Sequence, residues 1–213
     1  MRAVIFANGE LRYPQRARDL LRVDDLIIAV DGGTRHAWEA GVVPQLVIGD
    51  MDSLASDERE RLESSEVELS SFPARKDTTD LELALVRAVS EGADSILILG
   101  ALGGRIDQTI ANLLLLALPE LAEIDVRVAE GAQEAFLIRQ EAIIVGQPGD
   151  TVSLIPFGGD AAGVSVDGLE WPLQDETLRF GPARGVSNVL TGEEASVRVR
   201  RGLILCVVTH ADE

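Results

Sequence analysis

Ser95-Ile96-Leu97-Ile98-Leu99-Gly100-Ala101-Leu102-Gly103-Gly104-Arg105-Ile106-Asp107-Gln108 is the stretch that decides the fold class. Its first five residues are a short apolar run, too brief for a buried helix, and read as a β-strand. Glycines at 100, 103 and 104 then turn the chain. A leucine-rich helical pattern follows over 107–118, and Pro119 stops it. Strand, glycine turn and helix in that order make the repeating unit of a parallel sheet.

Working outward, the unit recurs. Val4–Ala7, Leu26–Val30, Leu46–Ile48 and Val67–Phe72 are further strand candidates, with helical patterns at 14–22, 34–41, 55–64 and 79–91. Thr79-x-x-Glu82 matches a capping box, and Gly92 closes the helix between as a C′ residue. The first half is therefore expected to be α/β: a mostly parallel, Rossmann-like sheet with flanking helices. After about residue 125 the texture changes. Val126–Ala129, Ala135–Arg139, Ala142–Val145, Thr151–Pro156, Gly163–Val166, Thr177–Phe180, Ser196–Arg200 and Leu203–Thr209 are short β-like runs between Gly, Pro and Asp turns. Such spacing predicts a C-terminal antiparallel β-sandwich. The expected domains are 1–128 and 129–213.

Composition narrows the function. The chain has 213 residues, with 36 acidic against 19 basic side chains and a formal net charge of −17. Phosphate backbones repel such a chain, so nucleic acid is excluded as a partner. No stretch reaches the ~20 apolar residues of a membrane span. The single cysteine, Cys206, cannot form an internal disulfide and sits in an apolar run, which fits a buried residue in a reducing cytoplasm. The expectation is a cytoplasmic protein with no membrane partner. His36 and His210 stand alone, without a second ligand at metal spacing.

Most carboxylates of so acidic a chain are surface solvation, but some fall at strand ends, where open α/β sheets bind ligands. Asp50 and Asp52 in Gly49-Asp50-Met51-Asp52-Ser53 are two apart, so in an extended segment both face one ion. An Asx-turn would also explain them. Asp77 and Asp80 in Lys76-Asp77-Thr78-Thr79-Asp80-Leu81-Glu82 share one face of a helix start. Capping explains one of the two acids. A lysine beside them suits a phosphate held between metal and ammonium. The glycines before Arg105 let backbone N–H groups approach phosphate at a helix N-terminus, although a turn needing positive φ would look alike. Arg105 is a candidate phosphate fork and Asp107 either a site residue or an N-cap. Asp31-Gly32-Gly33 is either a turn or a strand-end ligand. The first reading is a Mg²⁺-dependent enzyme acting on a nucleotide polyphosphate.

Together and in order, these segments resemble the motifs of thiamine pyrophosphokinases: a GDFDS-like segment (Gly49–Ser53), a KDxTDxE segment (Lys76–Glu82) and a GGRxDHxxAN segment (Gly103–Asn112). Gly168-Leu169-Glu170-Trp171-Pro172-Leu173 and Gly185-Val186-Ser187-Asn188 resemble the family's late motifs, so the likeness spans nearly the whole chain. Met51 stands where the family has Phe, and Gln108 where it has His; glutamine keeps hydrogen bonding but removes a titratable group.

The resemblance implies an N-terminal α/β catalytic domain, a C-terminal β-sandwich and a homodimer with active sites at the subunit interface. It implies transfer of pyrophosphate from ATP to thiamine, releasing AMP. In that picture Asp50, Asp52, Asp77 and Asp80 hold Mg²⁺ and include the proton acceptor. Lys76 and Arg105 balance phosphate charge, and Asp31, Gly32, Gly33, Thr79, Gly104 and Asp107 complete the ATP cleft. Gln108, Asn112, Trp171, Ser187 and Asn188 meet thiamine. Three other readings use the same residues. One is a pyrophosphokinase acting on a pterin alcohol. Another is a haloacid-dehalogenase-like phosphatase with Asp50 as nucleophile, although Ser53 departs from that DxDx[TV] signature. The third is a non-catalytic nucleotide sensor.

Overall fold

The computed structural model describes residues 1–50, 54–63, 65, 67–71 and 78–211. They form two compact units, Met1–Gly131 and Ala132–Glu213.

The first unit alternates strand and helix: β1 (Arg2–Phe6), α1 (Pro14–Asp19), β2 (Leu26–Val30), α2 (Gly33–Glu39), β3 (Leu46–Gly49), α3 (Ser56–Glu63), β4 (Glu68–Ser71), α4 (Asp80–Ser90), β5 (Ser95–Leu99), α5 (Ile106–Leu115) and β6 (Asp125–Glu130). All pairings in its sheet are parallel, and the strand order is β4-β3-β2-β1-β5-β6. Its central strands are continuous apolar runs because both faces are covered: Ala3, Val4, Ile5 and Phe6 are all fully buried.

Local signals fixed the helix ends. Thr79 caps α4, its Oγ1 accepting from the Glu82 N–H at 3.2 Å, and Gly92 follows the helix in the left-handed region at φ 88°. Two expectations change. The run Val126–Ala129, grouped by texture with the antiparallel half, is β6, and it pairs parallel to β5 (Val126 with Ile96, Val128 with Ile98). The helix expected to start at Asp107 starts at Ile106, with Arg105 as its N-cap, so Asp107 is not a cap.

The second unit is antiparallel: β7 (Gln133–Ile138), β8 (Glu141–Val145), β9 (Thr151–Asp167), β10 (Leu173–Leu178), β11 (Asn188–Val189), β12 (Glu194–Arg198) and β13 (Arg201–Thr209). The order is β7-β13-β9-β12-β8, with β10 and β11 also on β9. The runs Thr151–Pro156 and Gly163–Val166, expected as separate strands, are one 17-residue strand. Gly158 and Gly163, at φ 74° and 70°, bend it without ending it. Its first part pairs with β13 and its second with β10 and β12. Alternate residues, among them Phe136, Ile138, Val152, Leu154, Val197, Ile204 and the buried thiol Cys206, make the core of this unit. Among the described residues no helix is long and apolar enough to cross a membrane.

Candidate active site

In the first unit the chain runs from β1 outward to β2, β3 and β4 on one side, while β5 and β6 lie on the other. The order therefore reverses between β1 and β5, and ligand sites of open parallel sheets lie at such a point, beyond the carboxyl ends of the strands. A cavity of about 550 Å³ lies there, lined by Ala7, Asn8, Gly9, Glu10, Val30, Asp31, Thr79, Asp80, Leu81, Ala101, Gly103, Gly104, Arg105, Gln108 and Asn112.

Seven sequence candidates thus meet in one cavity: Asp31, Thr79, Asp80, Gly104, Arg105, Gln108 and Asn112. Asp31 ends β2 in the left-handed region at φ 46°, its N–H donating to the Ile48 carbonyl at 3.0 Å. Its carboxylate lies over Gly49: a Cβ there would fall 1.7 Å from Asp31 Oδ1, so residue 49 must be glycine for the carboxylate to lie at this strand end. Asp80 is the first residue of α4, where the positive end of the helix favours a carboxylate. Gln108 and Asn112 are one turn apart on α5, hence on one face. The buried Asn112 donates from Nδ2 to the Ala101 carbonyl at 2.7 Å, and Thr109 Oγ1 donates to the Gly103 carbonyl at 3.3 Å, so α5 grips the glycine turn that precedes it.

Arg105 forks onto Asp107, at 3.0 Å from Nε and 2.5 Å from the terminal nitrogen. That guanidinium holds the Asp107 carboxyl below the usual carboxylate range. Both side chains are exposed at the cavity rim. Asp107 is therefore placed to steer Arg105, and it does not line the cavity. Gly32 and Gly33 do not line it either. They are buried beneath it in close packing: a Cβ on Gly32 would fall 2.2 Å from Asn8 Oδ1, and one on Gly33 would fall 2.0 Å from the Phe6 carbonyl oxygen. Asp50 follows Gly49, half-buried at the end of β3 and outside this lining. Asp52, Lys76 and Asp77 lie outside the described residues.

Among the lining residues that the sequence does not single out, Asn8, Gly9 and Glu10 form one loop after β1. Their only signal was an Asn-Gly turn after the first strand. His36, read as isolated, supports this turn, its Nε2 donating to the Gly9 carbonyl at 2.9 Å.

Among the described residues no three His, Cys, Asp or Glu groups converge to hold a metal. Those present nevertheless suit Mg²⁺ in chemistry. They are hard carboxylate oxygens at neighbouring strand and helix ends, and glycine 49 leaves room for one of them.

In the second unit, Trp171 is 56% exposed and so is not a core residue. Asn188 is buried and clamps it: Asn188 Oδ1 accepts from the Trp171 N–H at 3.0 Å, and Nδ2 donates to the Trp171 carbonyl at 2.8 Å. The same Oδ1 accepts from the Val189 N–H at 2.9 Å, so the Asn188 amide ties the Trp171 backbone to β11. Ser187 is exposed, at φ 61°, with its N–H donating to Ser153 Oγ at 3.0 Å.

The catalytic-domain model of thiamin pyrophosphokinase matches residues 17–128, and the thiamin pyrophosphokinase vitamin B1 binding domain matches residues 138–204. The chain belongs to the thiamine pyrophosphokinase family. It is 30% identical to the thiamine pyrophosphokinase of Bacillus subtilis over 192 residues, which is 85% of this chain and 86% of that protein. Thiamine pyrophosphokinase 2 of Oryza sativa is 27% identical over 73% of this chain, which spans 62% of the rice protein. The crystal structure of the Bacillus subtilis thiamine pyrophosphokinase superposes with a TM-score of 0.89 over the full length of both chains, at 27% identity. Both matched models describe thiamine pyrophosphokinase, which decides among the readings that the motifs left open.

Proposed function

We propose that this member of the thiamine pyrophosphokinase family transfers pyrophosphate from ATP to thiamine with Mg²⁺, and that the cavity at the ends of β1, β2 and β5 holds the nucleotide. The observation that carries the placement is the meeting of Asp31, Asp80, Gly104 and Arg105 around one cavity at the switch point of the sheet.

In this reading the hydroxyl oxygen of thiamine attacks the β-phosphorus in line. The new bond is that oxygen to Pβ, the bond to the oxygen bridging the α- and β-phosphates breaks, and AMP leaves. Asp50, Asp52, Asp77 and Asp80 would hold Mg²⁺, which supplies positive charge between the phosphates. One of these carboxylates takes the hydroxyl proton. Arg105 and Lys76 offset the phosphate charge. Gln108, one turn from the glycine loop, positions the hydroxyl without exchanging a proton. Trp171, its backbone held by Asn188, offers a flat face to the aromatic rings of the thiamine cation, with Ser187 beside Asn188 in sequence as a polar contact.

We further propose that the first unit is a Rossmann-like domain and the second a β-sandwich, their boundary falling after β6 and so a few residues beyond the expected 128, with a cytoplasmic setting and a homodimer. Supporting the dimer, α5 carries Ile106, Ile110 and Leu114 exposed at 77%, 54% and 53% along one face, the spacing of a helix stripe that a second copy would cover.

Asp50→Asn and Asp80→Asn test the assignment, with thiamine-dependent AMP release followed against Mg²⁺. Loss of a carboxylate from the site should lower turnover by about 100-fold or raise the Mg²⁺ requirement similarly. Near-normal rates and Mg²⁺ dependence in both would remove these acids from the site.

A further inference from the structure

The turn from β5 into α5 contains three glycines in the left-handed region: Gly100 at φ 66°, Gly103 at 82° and Gly104 at 64°. Such a turn has little stiffness of its own. Yet it fixes where Arg105 starts α5, and so where Gln108 and Asn112 meet the cavity. The stiffness comes from the loop after β1. Gly9 N–H donates to the Gly100 carbonyl at 2.7 Å and Glu10 N–H to the Leu102 carbonyl at 2.9 Å. Glu10 Oε1 then accepts the Gly104 N–H at 2.9 Å. Gly103 lies flat on the Glu10 side chain, where a Cβ would fall 2.8 Å from Glu10 Cβ and 2.9 Å from its Cδ. Glu10 is held in turn: Arg12 places Nε at 2.8 Å and a terminal nitrogen at 2.6 Å from Oε2. The Arg12 backbone N–H donates to Glu130 Oε1 at 2.9 Å, which ties this loop to the end of β6.

We infer that Glu10, steadied by Arg12, is a positioning residue of the nucleotide site: its carboxylate locks the Gly103–Gly104 turn so that Arg105 and α5 face the phosphates. The inference rests on reading the cavity as the nucleotide site. Arg12 first, and the Gly104 N–H second, hold the Glu10 carboxyl below the usual carboxylate range, so the acceptor is an ionised, strong one at neutral pH. It uses one oxygen for Arg12 and the other for the turn.

The test compares Glu10→Ala, Glu10→Gln and Arg105→Ala. Binding of a non-hydrolysable ATP analogue with Mg²⁺ is measured by calorimetry, and KM for ATP and for thiamine by AMP release. Glu10→Gln keeps an oxygen for the Gly104 N–H and should bind within a few-fold of the parent. Glu10→Ala should weaken analogue binding and raise the ATP KM by about 10-fold, as expected for a lost charge-assisted hydrogen bond at an exposed site. The thiamine KM should rise less than the ATP KM, because Gln108 and Asn112 sit further along α5, and the melting temperature should stay nearly unchanged. If Glu10→Ala binds the analogue as well as the parent while Arg105→Ala binds poorly, the positioning role is wrong and the nucleotide site stands. Tighter binding by Glu10→Ala would also overturn it, because the carboxylate would then be a competitor for the Gly104 N–H. If neither variant changes nucleotide binding, the reading of the cavity itself fails. Should Glu10→Ala not fold, Arg12→Gln, which leaves Oε1 in place but unsteadied, must show a smaller loss in the same direction.

Discussion

Gly33→Ala opposes two effects of known sign, and the structure says which wins. Gly33 is the first residue of α2, and replacing glycine by alanine within a helix ordinarily stabilises by up to about 1 kcal/mol. Here the added methyl would fall 2.0 Å from the Phe6 carbonyl oxygen and 2.7 Å from its carbon. A tolerable carbon–oxygen contact begins near 3.3 Å, so the start of α2 must retreat by about 1.3 Å. Phe6 cannot yield in its place: it is fully buried and sits in β1 between Ala29 of β2 and Leu99 of β5. Overpacking against an immobile partner costs about 3 kcal/mol, at the upper end of the usual range. The net is a loss of about 2 kcal/mol once the helix gain is subtracted. The retreat would also carry Asp31, two residues away, out of register with Gly49. Urea unfolding at 25 °C measures the stability loss, and calorimetry with an ATP analogue measures the damage to the site. Gly159→Ala is the control, because nothing lies within 4 Å of its Cβ position, and it should change stability by under about 0.5 kcal/mol. A Gly33→Ala protein as stable as the parent would refute the close-packing account of the Asp31-Gly32-Gly33 turn.

Two further outcomes follow from the second unit. Buried Asp150 accepts from His210 Nδ1 at 2.8 Å, the Ala211 N–H at 2.9 Å and the Gln147 N–H at 3.0 Å. Burial alone raises its carboxyl, but the two backbone N–H groups and His210 outweigh burial and leave its pKa below the ordinary value. A depressed carboxyl gives stability that is complete above the unfolded value, about 4, and is lost as pH falls through the folded value below it. Asp150→Asn should therefore cost about 2 kcal/mol at pH 7, and the gap to the parent should close below pH 4. A gap in urea unfolding that is the same at pH 7 and pH 3 would contradict the assignment. Trp171→Ala should raise the thiamine KM by about 3- to 30-fold, matching a cation–π and stacking loss, with the ATP KM and melting temperature little changed. A lowered melting temperature with an unchanged KM ratio would make Trp171 a purely structural residue.

The parallel half was legible because its signals are local. Ser95–Leu99 is a strand over the residues its apolar run marks, and the Thr79–Glu82 cap forms as its spacing says. What failed were long-range facts. β6 carries an alternating pattern that fits either kind of sheet, and only its pairing with β5 makes it parallel. Gly158 and Gly163 look like turn residues in sequence but bend one strand, since the partners on β13, β10 and β12 hold both of its parts. At the site, residue types at strand ends pointed to Asp31, Asp80 and Arg105. They do not tell a glycine that meets a ligand from one packed against its neighbours, as Gly32 is against the Asn8 side chain and Gly33 against the Phe6 carbonyl. Glu10 was invisible for a related reason. Its meaning lies in Gly104, far along the chain, and nothing near residue 10 announces it.

The most direct test of the account supplies ATP labelled at the β-phosphate, with thiamine and Mg²⁺, and follows both products. The account predicts label in thiamine diphosphate and AMP in equal amount, with no AMP formed when thiamine is left out. ADP as the nucleotide product, or label in free phosphate without thiamine, would contradict it.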